Sequence, residues 1–162
     1  MAVLWDPANP GNTTWLGAMK VAAGALSLTL QPVEVHGLND LEPAFSAIKR
    51  ERARALSVLS NAVTTTYRTR IVDFAAKSRL PAMYPDRESV ETGGLMSYGP
   101  NLSDMWRRAA TYVDKILKGT KPADLPVEQP KKFEFIVNLN AAKQIGLTIP
   151  PNVLVRADKV IK

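Results

Sequence analysis

Apolar residues in this chain alternate between short runs and helical stripes. Ala2-Val3-Leu4-Trp5 is an apolar run closed by the turn-rich Asp6-Pro7-Ala8-Asn9-Pro10-Gly11-Asn12, which predicts a buried strand and a loop. Asn12 or Thr13 is expected to cap a helix whose stripe is Trp15, Met19, Ala22 and Leu26. Leu28 to Val35 reads as a second strand, closed by His36-Gly37. Asn39-Asp40-Leu41-Glu42 resembles a capping box, with Pro43 in the first turn and Leu41, Phe45 and Ile48 on the inner face. Ala55 to Leu59 predicts a third strand, ended by Ser60-Asn61-Ala62. A helix starting in Thr64-Thr65-Thr66 then buries Tyr67, Ile71, Phe74 and Ala75. Leu80 to Tyr84 and Leu95 to Tyr98 predict two more short strands, with a brief helix through Val90 between them.

Near-continuous apolar strands between helices predict an α/β fold, a three-layer parallel sheet with helices on both faces. Right-handed crossovers gather the strand-to-helix loops on the carboxyl edge, where ligands bind in such sheets. The candidate loops are Asp6 to Thr14, Ser60 to Thr64, Tyr84 to Arg87 and Tyr98 to Asn101. At 162 residues the chain reads as a single domain, 1–162, large enough to bury a real core.

Composition narrows the chemistry. No run approaches the roughly 18 apolar residues of a membrane span. With no cysteine there is no disulfide framework and no thiolate metal site. The formal net charge is +6, but its densest run, Lys49-Arg50-Glu51-Arg52-Ala53-Arg54, falls at a predicted helix end, where cations suit the dipole. No nucleic-acid motif accompanies it, so no nucleic-acid partner is expected. His36 stands alone and reads as a turn residue. Asp6-Pro7 and Pro85-Asp86 read as turn pairs before acid–base groups, and Gly93-Gly94 reads as a hinge before a strand. No nucleophile–base pair, phosphate loop or metal-ligand spacing occurs, so neither an enzyme nor a cofactor is expected. What remains at the edge is neutral and aromatic. The candidate ligand-binding residues are Asn9, Thr13, Asn61, Tyr84 and Tyr98, suited to a small polar ligand, particularly one with a carboxylate.

The C-terminal third carries a resemblance. Leu95-Met96-Ser97-Tyr98-Gly99-Pro100-Asn101, Ala109 to Gly119 and Lys121-Pro122-Ala123-Asp124-Leu125-Pro126-Val127-Glu128 are similar to the substrate-binding proteins of ABC transporters with a type I periplasmic binding fold. The similarity continues through Phe133 to Asn138, Asn140 to Lys143 and Gly146 to Pro151, and the opening Leu4 to Pro10 resembles the start of that family's second lobe. The resemblance implies one lobe of a solute receptor for a small ligand such as an amino acid, working with an ABC permease. It implies a periplasmic location, whereas Met1 is followed by no basic leader or cleavage site, as in a cytoplasmic chain. The alternative is a cytosolic ligand-sensing or interaction module that kept the fold and lost transport.

The segment 101–118 stands apart. In the resembled family its helix packs on a first lobe. Here its stripe is Leu102, Met105, Trp106, Ala109, Val113, Ile116 and Leu117. At about 25 cal/mol per Å² of apolar area, leaving that stripe in water forfeits several kcal/mol. The expectation is a partner for this helix, a missing first lobe or a second copy in a homodimer through 101–118.

Overall fold

Each strand hands over to a helix almost from the first residue. The computed structural model describes every residue, Met1–Lys162. Strands β1 (Ala2–Trp5), β2 (Gln31–Glu34), β3 (Leu56–Val58), β4 (Ala82–Tyr84), β5 (Met96–Pro100), β6 (Phe133–Asn138) and β7 (Lys159–Ile161) form one sheet in the order β2-β1-β3-β4-β5-β6-β7. The β2 to β5 pairings are all parallel, as the apolar runs predict. β6 departs from that expectation and runs antiparallel to β5, with β7 parallel to β6. The reason is the intervening segment, which leaves the carboxyl edge and returns to it, so β6 must run downward.

The helices are α1 (Pro10–Ala25), α2 (Leu41–Arg50), α3 (Ala62–Thr66), α4 (Arg68–Lys77), α5 (Arg87–Glu91), α6 (Leu102–Leu117), α7 (Leu139–Gln144) and α8 (Pro151–Leu154). β1 steps to β2 in one direction, while β2 steps to β3 and β3 to β4 in the other. Right-handed crossovers therefore put α1 on one face and α2 and α4 on the opposite face. The main core agrees. It joins Leu4, Val35, Leu41, Phe45, Ile48, Leu56, Ile71 and Phe74, and contains no α1 residue. Phe45 and Phe74 stack with ring centroids 4.1 Å apart, locking α2 to α4. A smaller cluster of Leu95, Val137, Ala141, Ala142 and Ile149 holds the C-terminal unit.

Local chemistry shifts several boundaries. α1 starts earlier than Asn12 or Thr13, because Asn9 is the cap: its side chain accepts from Gly11 N–H at 2.9 Å, and Pro10 takes the first helical position. The buried stripe of α1 is Asn12, Leu16 and Ala23, whereas Trp15 is 64% exposed. α1 is apolar on several sides, so periodicity alone misassigned its inner face. The expected capping box at Asn39 is replaced by Asp40, whose carboxylate accepts from His36 N–H and Gly37 N–H. Glu42 pairs with Arg70 at 2.7 Å instead. The Thr-rich helix is two helices broken at Tyr67, and Asn61 caps the first.

The segment 101–132 forms an arm. Its two ends meet: Pro100 pairs across with Phe133, and Asn101 N–H donates to Lys132 C=O at 2.9 Å. α6 is amphipathic, yet none of its residues is buried, and Trp106 and Leu117 are 74% and 82% exposed. Beyond its first turn the returning strap runs beside it. Tyr112 Oη donates to Pro126 C=O at 2.7 Å, Arg108 pairs with Glu128, and a groove of about 400 Å³ lies between. No helix of the molecule is long and apolar enough to cross a membrane.

Candidate functional site

Parallel strands end together, so the carboxyl edge collects the turns after β1, β3, β4 and β5. These turns and the start of β6 enclose a cavity of about 550 Å³. Asn9, Trp15 and Met19 reach it from the start of α1, and Met83 to Glu88 from the end of β4. Tyr98 to Ser103 reach it from the root of the arm, and Phe133 and Glu134 from β6.

The rim is fixed by an interior network beneath it. Asn12 and Asn61 are buried. Asn12 Oδ1 accepts from Asp6 N–H at 3.0 Å and from Asn61 Nδ2 at 3.1 Å, and Asn12 Nδ2 donates to Ser60 C=O at 2.8 Å. Asn61 Oδ1 accepts from Thr64 N–H, while Thr64 Oγ1 accepts from Asn61 N–H. Two amides and a hydroxyl thus tie the β1 loop, the α1 start and the β3 loop into one rigid unit. A buried network with its members bonded is a specifying device, and losing one member leaves costly unpaired groups.

On the opposite side Asp86 caps α5, accepting at Oδ1 from Ser89 N–H at 2.8 Å and Ser89 Oγ at 2.9 Å. Arg68 Nε lies 3.2 Å from the same oxygen. Tyr84 points its ring into the core, and burial, then the Asp86 charge, pushes its phenol far above the ordinary tyrosine range. Gly99 lets β5 pass this turn, since a Cβ there would sit 1.9 Å from Pro85 O. Arg87 is already engaged: Nε is 2.7 Å from Glu91 and Nη1 3.8 Å from Glu134. That hydrogen bond raises the Arg87 pKa and lowers that of Glu91. Glu134 also accepts from Asn101 Nδ2. Tyr98, 58% exposed, stacks on Phe133 with centroids 5.7 Å apart, because Phe133 lies diagonally across the antiparallel pair.

Of the residues picked from sequence, Asn9, Tyr84 and Tyr98 come together around the cavity. Thr13 is exposed in the first turn of α1 outside the lining. Asn61 is 6% exposed and spends its amide within the network. Trp15, Met19, Phe133, Glu134 and Arg87 line the cavity without having been singled out. Trp15 was assigned to the core stripe, and Phe133 joins Tyr98 only through the antiparallel turn-back of β6. His36 sits at the same edge, 3.6 Å from Asp6, and is exposed.

A ligand-sized cavity at the carboxyl edge, walled by aromatic rings and amides, fits solute binding. The family model for ABC transporter substrate binding proteins matches residues 1–161. The chain belongs to that family. Two solved structures, each 25% identical, share the fold closely. One is a conserved domain protein from Vibrio cholerae, with a TM-score of 0.88 over 98% of this chain and 53% of that one. The other is an ABC domain in complex with L-Trp from Streptococcus pneumonia, with a TM-score of 0.89 over 99% of this chain and 54% of that one. A ligand-free, open substrate binding protein with adhesive properties from Clostridium difficile, 19% identical, shares the fold at a TM-score of 0.70 over 99% of this chain and 53% of that one. The chain therefore spans about half the length of the solved structures it matches. No curated protein matches it. Family and fold are those of substrate-binding proteins.

Proposed function

We propose that this chain is the second lobe of a solute receptor serving an ABC permease, binding an amino-acid-like ligand in the cavity between α1, the β4–α5 turn and β5–β6. The observation that carries the reading is the cavity itself, placed at the carboxyl edge of a chain whose family match runs from end to end. The L-Trp named for the Streptococcus protein supports an amino acid, and exposed Trp15, Tyr98 and Phe133 offer rings for a planar side chain. In this reading Asn9 and Tyr98 face the ligand, Tyr84 from the core and Asn61 from the network hold the rim in shape, and Thr13 meets ligand only if the opposing wall brings it close. Such receptors work outside the inner membrane, so we assign a periplasmic or extracellular setting. A ligand-sensing module that lost transport is the alternative, and it shares the same cavity.

We further propose that the α6 face is covered in the working receptor by a first lobe, since this chain spans only about half of its longer relatives. A homodimer through 101–118 is the second reading, favoured by the exposed apolar face of α6 itself, where Trp106, Val113 and Leu117 lie on one side. Sedimentation separates the two. A dimer weakened by Trp106→Asp supports the second copy, and a monomer at every concentration supports the first lobe.

The binding test is an NMR titration with the common amino acids. Half a cleft gives weak affinity, so shifts are expected at millimolar ligand around Asn9 to Trp15, Tyr84 to Glu88 and Tyr98 to Asn101. Absence of shifts there for every amino acid would overturn the reading.

A further inference from the structure

The cavity reaches past the rim and onto one face of the sheet. Leu56 and Val58 of β3, and Ala82 and Tyr84 of β4, belong to the main core beneath α2 and α4. Side chains alternate along a strand, so Ser57 and Met83 point to the opposite face, the one that carries α1. The two are partners in the β3–β4 register and lie side by side. Both line the cavity, with Trp15 and Met19 of α1 next to them. Ser57 precedes the rim residue Ser60 by about 10 Å of strand, at roughly 3.3 Å per residue. The cavity therefore has an inner recess as well as a mouth.

The recess exists because two covers of this face stop short of each other. α1 lays Leu16 and Ala23 on the sheet. On the other side, Met96, Phe135 and Val137 share the face by register and are packed into the C-terminal cluster. Between them the face stays open over Ser57 and Met83, and the cavity fills the opening. The walls are Trp15 and two half-buried methionines, Met19 and Met83, whose flexible thioethers mould themselves to an aromatic ring. On the floor sits a hydroxyl. Ser57 is only 9% exposed, yet its Oγ bonds to no group of the chain. Buried hydroxyls ordinarily find a partner, and one left over costs the fold stability. The space open to this one is the cavity.

We propose that this recess is a subsite for a flat aromatic ring bearing an N–H or O–H, an indole or a phenol, seated between Trp15, Met19 and Met83 with Ser57 Oγ as its polar contact. This rests on the solute-receptor reading and deepens it by naming the class of ring. The hydroxyl accepts from an indole N–H, and accepts from or donates to a phenol. Neither role needs a charge, so selection turns on shape and one hydrogen bond. A plain phenyl ring leaves Ser57 covered and without a partner, which is penalised. Ser57 is thus a specificity-determining residue.

The test titrates indole and 1-methylindole, which share a ring system and differ in the N–H, into the full chain with methyl-labelled methionines. NMR should show NOEs from indole to the Met19 and Met83 methyls, and a preference for indole of about three- to tenfold, as one net hydrogen bond gives. Ser57→Ala should erase most of that preference and leave the melting temperature unchanged or higher, since the hydroxyl has no partner in the fold. Ser57→Val, which suits a strand and narrows the floor, should weaken both probes. NOEs confined to Tyr98 and Phe133, a preference that survives Ser57→Ala in full, or a clear loss of stability in Ser57→Ala overturns the proposal while leaving the receptor reading intact. Binding of neither probe and of no amino acid overturns the receptor reading, and this inference falls with it.

Discussion

Helices α2 and α6 are both sharply amphipathic and both carry a cation in their last turn, yet they end differently. α2 buries Leu41, Ala44, Phe45 and Ile48 against the sheet and α4, while α6 buries none of its residues. Pattern alone sets the capacity of a helix to pack; topology decides whether a surface is there to receive it. α2 is a crossover between neighbouring strands and is laid on the sheet by its connections. α6 sits inside an excursion whose two ends meet at Asn101 and Lys132, so nothing forces it onto the sheet. The molecule therefore divides into a body that closes its own core and an arm whose apolar face stays exposed.

The largest effects should come from the body. Ile48→Ala removes a side chain that is 1% exposed and should cost about 2–5 kcal/mol in urea unfolding. Ile116→Ala, the same chemistry in α6, should cost under about 0.5 kcal/mol in the isolated chain. Similar costs at both positions would abolish the distinction between body and arm. Gly99→Ala should cost about 1–3 kcal/mol through overpacking, because its Cβ meets Pro85 O at 1.9 Å, and should displace the β4–α5 turn in NMR spectra. A neutral Gly99→Ala would mean that the rim is looser than the structure has it.

Asn12→Ala tests the network below the rim. It leaves Asp6 N–H, Asn61 Nδ2 and Ser60 C=O without their partner and should cost about 1–3 kcal/mol. Tyr84 gives a pH signature. Its phenol is held protonated in the fold, first by burial and then by the charge of Asp86. The unfolded chain ionises its tyrosines near pH 10, so above that pH the unfolded state gains and the fold loses stability. Below it Tyr84 contributes no slope. Tyr84→Phe should flatten the fall in stability above about pH 10, measured by urea midpoints; an unchanged slope would contradict the assignment. The smallest effect belongs to the arm's surface. Lys118→Ala, which breaks an exposed pair with Asp114, should change stability by about 0.5 kcal/mol or less.

Much of the body was legible because local and global signals agree there. The runs at Ala2–Trp5, Leu56–Val58 and Ala82–Tyr84 fixed β1, β3 and β4, and the Leu41, Phe45, Ile48 stripe fixed the inner face of α2. The arm's isolation was also foreshadowed by an apolar stripe with no evident place on a finished sheet. The antiparallel turn of β6 was not legible, since Phe133–Asn138 reads alike in either direction and only the path of the arm sets it. The short β7 follows no strong apolar run and depends on pairing with β6. At the site, Asn9, Tyr84 and Tyr98 could be placed from strand ends. Trp15 could not, because α1 is apolar on more than one side, and Asn61 looked like a ligand group because its partner Asn12 lies 49 residues away.

The division between body and arm is tested most directly by amide hydrogen exchange on the full chain at dilute concentration. Amides of Ile71 to Ala75 should exchange only through global unfolding, and those of Met105 to Leu117 far faster, by local opening of a helix with no packed face. Protection of the arm equal to that of α4 in a monomer would show that α6 has found a surface on its own body, and would contradict the account.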